Sequence, residues 1–475
     1  MRPLRLSKVA SEKSLETQIE RHHLYALRVV APLDPSKKLL RANSGSQGLV
    51  PTRGRSTMTR CLAKHFAHRP GTSWLVAVLA ASFGLFGCSL HTEPRLAAVR
   101  QASAGTEPSP PRALFVFLDG TANSGLAKDE RSSTNVWRLY KKVKEEAPEG
   151  SRAFYVEGVG NARNPLTGMI LGKGMEKRIK LGYEFLARNY RPGDSIYIFG
   201  FSRGSHQARA LAGLISYAGL PVGIDARTAR VRHKMNAVVE VAKRHSDADF
   251  VSKWASWKEG SVPFLAAEIE SEAGLKVQPA TIELLGVWDT VPGSLLKNFG
   301  ECSELPDSKA GDRYKSGSYP PIRQIAHAVS RDEKRNRFAL LRVCDAIDPS
   351  RTEIKETWFP GAHSDVGGGY DDSKRGVGGP ALSNAPFNWM TSVLAAHEFL
   401  GITASHLPED PKALAHWPVG SRLYKAIAKC VDRAEPAEHA RHESVQARES
   451  LPSAPILVRD QVLETKYPAK CQDLD

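Results

Sequence analysis

The chain has 475 residues, 41% of them hydrophobic and 25% charged, which is enough apolar content for a full core and too much for a disordered protein. A net charge of +15 would suit a nucleic-acid partner, but residues 1–88 alone carry fourteen Lys and Arg against four Asp and Glu. That surplus of 10 leaves only +5 for residues 89–475, so nucleic acid is set aside.

Inside the basic leader, "MTRCLAKHFAHRPGTSWLVAVLAASFGLFGCSL" begins at Met58. Arg60, Lys64 and Arg69 precede an apolar run over 74–86, and Gly87-Cys88 follows. This is the plan of a bacterial export signal: a cationic end, an apolar segment short for a membrane span, and a small residue before the cut. Leu85-Phe86-Gly87-Cys88 resembles a lipobox, which implies acylation of Cys88 and an outer-membrane lipoprotein of the cell envelope, facing the periplasm or the cell surface. An uncleaved signal anchor is the alternative, and the charge bias would orient both alike. Residues 1–57 are then expected to be an extension ahead of a start at Met58. Residues 89–112, rich in Ser, Pro and Ala, read as a flexible tether between lipid and domain. Outside the leader and Cys88, the cysteines are Cys302, Cys344, Cys430 and Cys471, with three possible pairings. No CxxC spacing is present, so no zinc site is expected.

The folded domain is expected over 113–450, with a polar tail at 451–475. It opens on five apolar residues at 113–117, a buried parallel strand ending at Asp119-Gly120-Thr121. Val136, Leu139, Tyr140 and Val143 then share one helical face. "RAFYVEGVG" reads as a strand, "EKRIKLGYEFLARNY" as a helix and "DSIYIFGF" as a strand. Strands alternating with helices predict an α/β fold with a mainly parallel, doubly wound sheet. "GFSRGSHQARALAGLI" follows, with Gly200 and Gly204 giving room for a sharp strand-to-helix turn at Ser202. A helical cap insertion over the site is expected at about 221–280, where Val238, Val239 and Val241 lie beside Lys243 and Arg244. These basic groups could meet lipid phosphates or simply form a solvated helix face. Another apolar strand at 282–288 ends at Asp289, and "IKETWFPGAHSDVGGGY" places His363 after a strand in a glycine-rich loop.

A serine hydroxyl is a poor nucleophile and needs a base, which needs an orienting carboxylate. The chain order Ser202, Asp289, His363, each after a strand, is the order α/β-hydrolases use. Asp119 and Asp365 are candidates for a secondary acid or a calcium ligand, with hydrogen bonding inside their loops as the plainer reading. His442 is the alternative base, because the standard hydrolase histidine follows the last strand.

"FLDGT", "NVWRLY", "IYIFGFSRGSHQARALAGLI", "LLGVWDTVPG" and "WFPGAHSDVGGGY", in that order, resemble the catalytic domain of the type VI secretion phospholipase effectors, a family that also holds many uncharacterised α/β-hydrolase proteins. The resemblance covers roughly 113–400, with "HARHESVQARES" at 439–450 as an outlier. It implies an α/β-hydrolase-like fold and a lipid-ester hydrolase; no cofactor is expected. Ser202 would be nucleophile, Asp289 orienting acid and His363 base. The oxyanion hole would combine the Arg203 amide with a second amide near Gly120 and Thr121. An export signal and membrane anchor stand where the secreted effectors generally carry delivery modules. Two other readings are a carboxylesterase or acyltransferase on small or envelope esters, and a non-catalytic lipid-anchored binding protein on a hydrolase scaffold.

Overall fold

The computed structural model describes residues 96–98, 112–120, 133–158, 174–224, 229–292, 316–343, 345–370, 381–420 and 428–474, all within the unit Leu90–Asp475. The leader with Cys88, most of the tether, Thr121, Cys302 and Cys344 lie outside the described residues.

The first half of the domain runs β1 (Leu96–Ala98), β2 (Ala113–Leu118), α1 (Asn135–Glu146), β3 (Arg152–Val156), α2 (Met175–Asn189), β4 (Ser195–Phe201) and α3 (Arg203–Ala218). An insertion follows: β5 (Leu220–Pro221), α4 (Ala229–Arg244), α5 (Val251–Ala255), α6 (Ala266–Ala273) and β6 (Val277–Gln278). The sheet resumes with β7 (Ile282–Trp288), β8 (Gln324–Ser330), β9 (Glu353–Phe359), α7 (His363–Gly367) and α8 (Asn384–Ala395). Last come β10 (Ala415–His416), β11 (Ala440–Arg441), α9 (Glu443–Glu449), β12 (Ala454–Val458), β13 (Gln461–Thr465) and α10 (Cys471–Leu474).

The main sheet has the order β1-β3-β2-β4-β7-β8-β9-β11. Only β1 runs antiparallel, against β3; the other seven strands are parallel. The central strands are buried on both sides, so they are apolar throughout and their alternation divides two cores. Leu114, Val116, Leu118, Ile196 and Ile198 face one core, beneath α2 and α3. Phe115, Phe117, Tyr197, Phe199 and Phe201 face the other, beneath α1 and α8. The helical face read from Val136, Leu139, Tyr140 and Val143 is the buried face of α1. The result is an α/β-hydrolase-like fold, as expected.

From β2 the chain crosses to β3 on one side, then to β4 on the other. That reversal opens a crevice at the carboxyl ends of β2 and β4, where open α/β sheets bind ligands. Asp119 and Ser202 stand at those two ends.

Two expectations are corrected. The 221–280 insertion is anchored at the carboxyl end of α3, the end away from Ser202. There β5 pairs with β6, Leu265 donates to the Tyr217 carbonyl, and Tyr217 packs edge-on against Phe250, Trp254 and Phe264. Sixteen helical residues separate the two ends of α3 by about 24 Å, so these contacts hold the insertion to the flank and foot of the sheet. Lys243 and Arg244 pair with Glu176, Glu240, Glu268 and Glu272, ion pairs on a solvated helix face.

The second correction concerns 451–475, which is folded. β10, β12 and β13 form a small sheet over a core of Leu382, Trp417, Val419 and Ile456, and a Cys430–Cys471 disulfide closes it. A five-residue strand, a tight turn at Arg459-Asp460 with positive φ and an exposed return strand leave little apolar signal in sequence.

Candidate active site

Ser202 occupies a backbone conformation with φ 61° and ψ −126° between β4 and α3. Such a turn brings chain against chain, and the two flanking glycines are what allow it. A Cβ on Gly200 would lie 2.5 Å from the Gly204 carbonyl oxygen, and one on Gly204 would lie 2.1 Å from that of Leu118. The Ser202 amide donates to the Trp288 carbonyl at 3.0 Å. Ser205 Oγ donates to the carbonyls of Gly200 and Trp288 at 2.8 and 2.7 Å, so the turn is tied to β7 as well.

Asp289 leaves β7 with φ 36° and is fully buried. Its Oδ2 lies 2.5 Å from His363 Nδ1. Its Oδ1 accepts from the Ser330 amide at 3.0 Å. Arg433 spans both oxygens, Nη1 to Oδ1 at 2.6 Å and Nη2 to Oδ2 at 3.1 Å. Burial alone would raise the Asp289 pKa; the Arg433 guanidinium and the His363 contact outweigh it and hold the carboxyl well below the usual carboxylate range.

His363, first residue of α7, has its ring packed by Phe201 at 4.6 Å and Phe338 at 5.0 Å. Its amide donates to Glu333, which is paired with Arg335. Burial pushes the imidazole below its ordinary value of 6.5, against the upward pull of Asp289 and Glu333. With Nδ1 taken by Asp289, Nε2 is buried and has no hydrogen-bond partner. No hydrogen bond joins Ser202 to His363 among the described contacts; the ring that packs on His363 is that of Phe201, the residue before Ser202. Catalytic hydrogen bonds in substrate-free sites are often long.

Arg203 is the first residue of α3, where amides lack intrahelical acceptors. The Gly120 amide is corrected: it donates to its own neighbour, Asp119 Oδ1, at 2.6 Å. Asp119 also accepts from Thr134 Oγ1 at 2.7 Å and from the Tyr155 hydroxyl. Three donors make it the knot of the β2 loop. Burial still prevails over these bonds and raises its pKa to about 6. Asp365 accepts from the Ala362 amide and contacts His416 Nδ1 at 2.6 Å, the loop-bonding role. Among the described residues no group of three or more His, Cys, Asp or Glu could hold a metal. His442 caps α9, with Nδ1 toward Ser444 and its ring on Phe359 at 4.7 Å. The imidazole that meets Asp289 is His363.

Sequence reasoning missed Arg433 and a second buried pair. His327 Nε2 accepts from the Thr290 amide at 3.1 Å, so its proton sits on Nδ1, 3.0 Å from Glu356. This pair steadies the turn just after Asp289. His327 stands out in sequence as a polar residue in the middle of β8, whereas Glu356 is hidden among the polar residues of β9.

Over residues 112–393 the sequence matches the family model "T6SS, Phospholipase effector Tle1-like, catalytic domain". An uncharacterized protein of Saccharomyces cerevisiae is 29% identical over 138 residues, which is 26% of this chain and 20% of that protein. An uncharacterized protein from Pseudomonas aeruginosa is similar in structure, at 20% identity over 63% of this chain and 47% of that one, with a TM-score of 0.35. The Tle1 effector bound to the VgrG spike shares 16% identity over 55% of this chain and 52% of its own, with a TM-score of 0.29. A carboxylesterase from Lactobacillus plantarum shares 9% over 66% of this chain and 94% of its own, also with a TM-score of 0.29. The chain thus spans a fifth of the yeast relative and about half of each of the first two solved structures. Because the match takes in β2 through most of α8, with every residue of the elbow, Asp289 and His363, the chain belongs to the family of T6SS Tle1-like phospholipase effector catalytic domains.

Proposed function

We propose that this chain hydrolyses lipid acyl esters through a Ser202–His363–Asp289 triad. The observation that carries the reading is His363, whose Nδ1 is held by Asp289 while Nε2 is buried and unpartnered, and whose ring packs on Phe201, the residue before the strained elbow. Ser202 Oγ attacks the ester carbonyl as His363 Nε2 takes its proton. The oxyanion is met by the Arg203 amide at the start of α3. The imidazolium then protonates the leaving alcohol, and water repeats the sequence on the acyl-enzyme. Asp289 keeps the proton on Nδ1 and stabilises the imidazolium.

Family membership supports phospholipid as substrate. The lipobox-like stretch ending at Cys88 supports a lipid-anchored protein in the cell envelope, and the Cys430–Cys471 disulfide supports an oxidising compartment. Either Ser202→Ala or His363→Ala should cut turnover by about 10⁴ or more, with little further loss in the double variant, because such groups act as a unit. Fatty-acid release from phospholipid vesicles, set against cleavage of short p-nitrophenyl esters, measures both chemistry and substrate. Brisk turnover of the short esters alone would favour a carboxylesterase, and additive losses would count against a triad. Labelled palmitate should enter the wild type and not Cys88→Ala.

A further inference from the structure

Arg433 lies forty residues beyond the end of the family match at 393, yet it donates to both carboxylate oxygens of Asp289, the partner of His363. Besides both Asp289 oxygens, it donates to the carbonyls of Ser330 at 2.6 Å and Phe338 at 2.9 Å. It therefore ties together the ends of β7 and β8 and the Phe338 turn that packs on His363. The segment that presents it is fastened twice. Residues 429–432 run along 334–336, with Val431 donating to the Lys334 carbonyl, Asn336 to that of Lys429, and Lys334 pairing with Asp432. Beside these, Cys430 is bonded to Cys471, which anchors the segment to the C-terminal sheet.

We propose that Arg433 is a positioning residue of the catalytic pair, and that the Cys430–Cys471 disulfide is the clamp that delivers it. The assignment rests on the triad reading above. A planar guanidinium can bridge both oxygens of one carboxylate, which sets the carboxylate plane and leaves Oδ2 aimed at His363. It also offsets part of the negative charge that the imidazole faces. The charged groups around His363 are Asp289 and, from the loop after β8, Glu333 and Arg335; Asp289 in turn faces His363 and Arg433. Without Arg433, Asp289 pulls harder on the imidazolium, and the base gains affinity for its proton. Since only neutral His363 can accept the serine proton, the acid limb of activity moves to higher pH.

The test uses the full chain and a fluorophosphonate probe, whose labelling rate reports the serine and its base whatever the natural ester. Rates are measured against pH for wild type, Ser202→Ala, Arg433→Gln, Arg433→Lys and the Cys430→Ala/Cys471→Ala double variant. Arg433→Gln should label about 100-fold more slowly at neutral pH, with its acid limb raised by about one pH unit. Arg433→Lys should restore the acid limb and only part of the rate, since lysine keeps the charge without the fork. The double cysteine variant should fall between wild type and Arg433→Gln, in rate and in limb. Labelling of Ser202→Ala would overturn the triad reading itself. An unlabelled Ser202→Ala, together with Arg433→Gln at the wild-type rate and limb, would overturn this proposal alone. Should Arg433→Gln fail to fold, wild-type profiles in both the lysine and the cysteine variants overturn it equally.

Discussion

At Asp119, just past the end of β2, a carboxyl group is buried with three donors to itself and no cation among them. Burial wins, and its pKa stands at about 6 against an ordinary 3.8. The folded state therefore holds a proton that the unfolded chain has released. The resulting stability is fully present below about pH 4 and is lost as pH rises through about 6. Asp119→Asn removes that titration, so thermal melts taken from pH 4 to 7 should vary less in the variant than in wild type. An equal or steeper decline in the variant would show that Asp119 does not set the slope. Asp289 has the same burial and the opposite outcome, because Arg433 is there. Sequence exposes one of these residues and hides the other's partner. Ser202 and Asp289 announce themselves by apolar strands and a glycine pair, whereas Arg433 sits in "CVDRAEP", a stretch without periodicity, and reaches its place by tertiary contact alone.

Among elements, α7 shows how closely His363 is bound to the strand that leads to Ser202. The five-residue helix begins at His363 and ends at Gly367, and a Cβ on Gly367 would lie 2.0 to 2.3 Å from the Phe201 ring. That ring is 1% exposed and supports the His363 imidazole. Gly367→Ala must push Phe201, His363 or α7 itself. It should lower stability by about 1–3 kcal/mol, the usual cost of overpacking, and slow fluorophosphonate labelling about tenfold or more through the displaced base. A melt and a labelling rate check the two halves separately; a variant that labels like wild type would show that labelling does not depend on this contact. The sequence reads here as a glycine-rich loop; that it begins as a short helix, with Gly367 against Phe201, is set by tertiary contact. Elements that bury a clear apolar stripe, such as α1 and β4, were readable for that reason. Elements whose placement depends on distant partners were not: the insertion's amphipathic helices fit a cap and a flank equally well until Tyr217 and Leu265 fix them at the foot of α3.

For the molecule as a whole, the family match ends at 393 but the fold does not. Beyond that residue lie Leu400 and Ile402 of the core under α1 and α8, β11 paired to β9 at Thr357 and Trp358, and the small C-terminal sheet. Arg331, at the end of β8, finds Glu435 and Glu449 there, and Asp332 accepts from Tyr467. Cutting the chain at 393 would expose the edge of β9, strip neighbours from the fully buried Trp358 and leave Asp289 charged, buried and without Arg433. Breaking a buried ion pair from one side costs about 3–5 kcal/mol by itself, a large part of the total stability of an ordinary domain. A version spanning 112–393 is therefore expected to lack a cooperative melt and to take up no fluorophosphonate. A version spanning 112–475 should melt cooperatively and label as the full chain does. The comparison separates two views of where this enzyme ends. If the shorter version folds and labels at the full rate, the matched region is self-sufficient and the C-terminal segment is an appendage; if only the longer one does, residues 394–475 complete the catalytic domain.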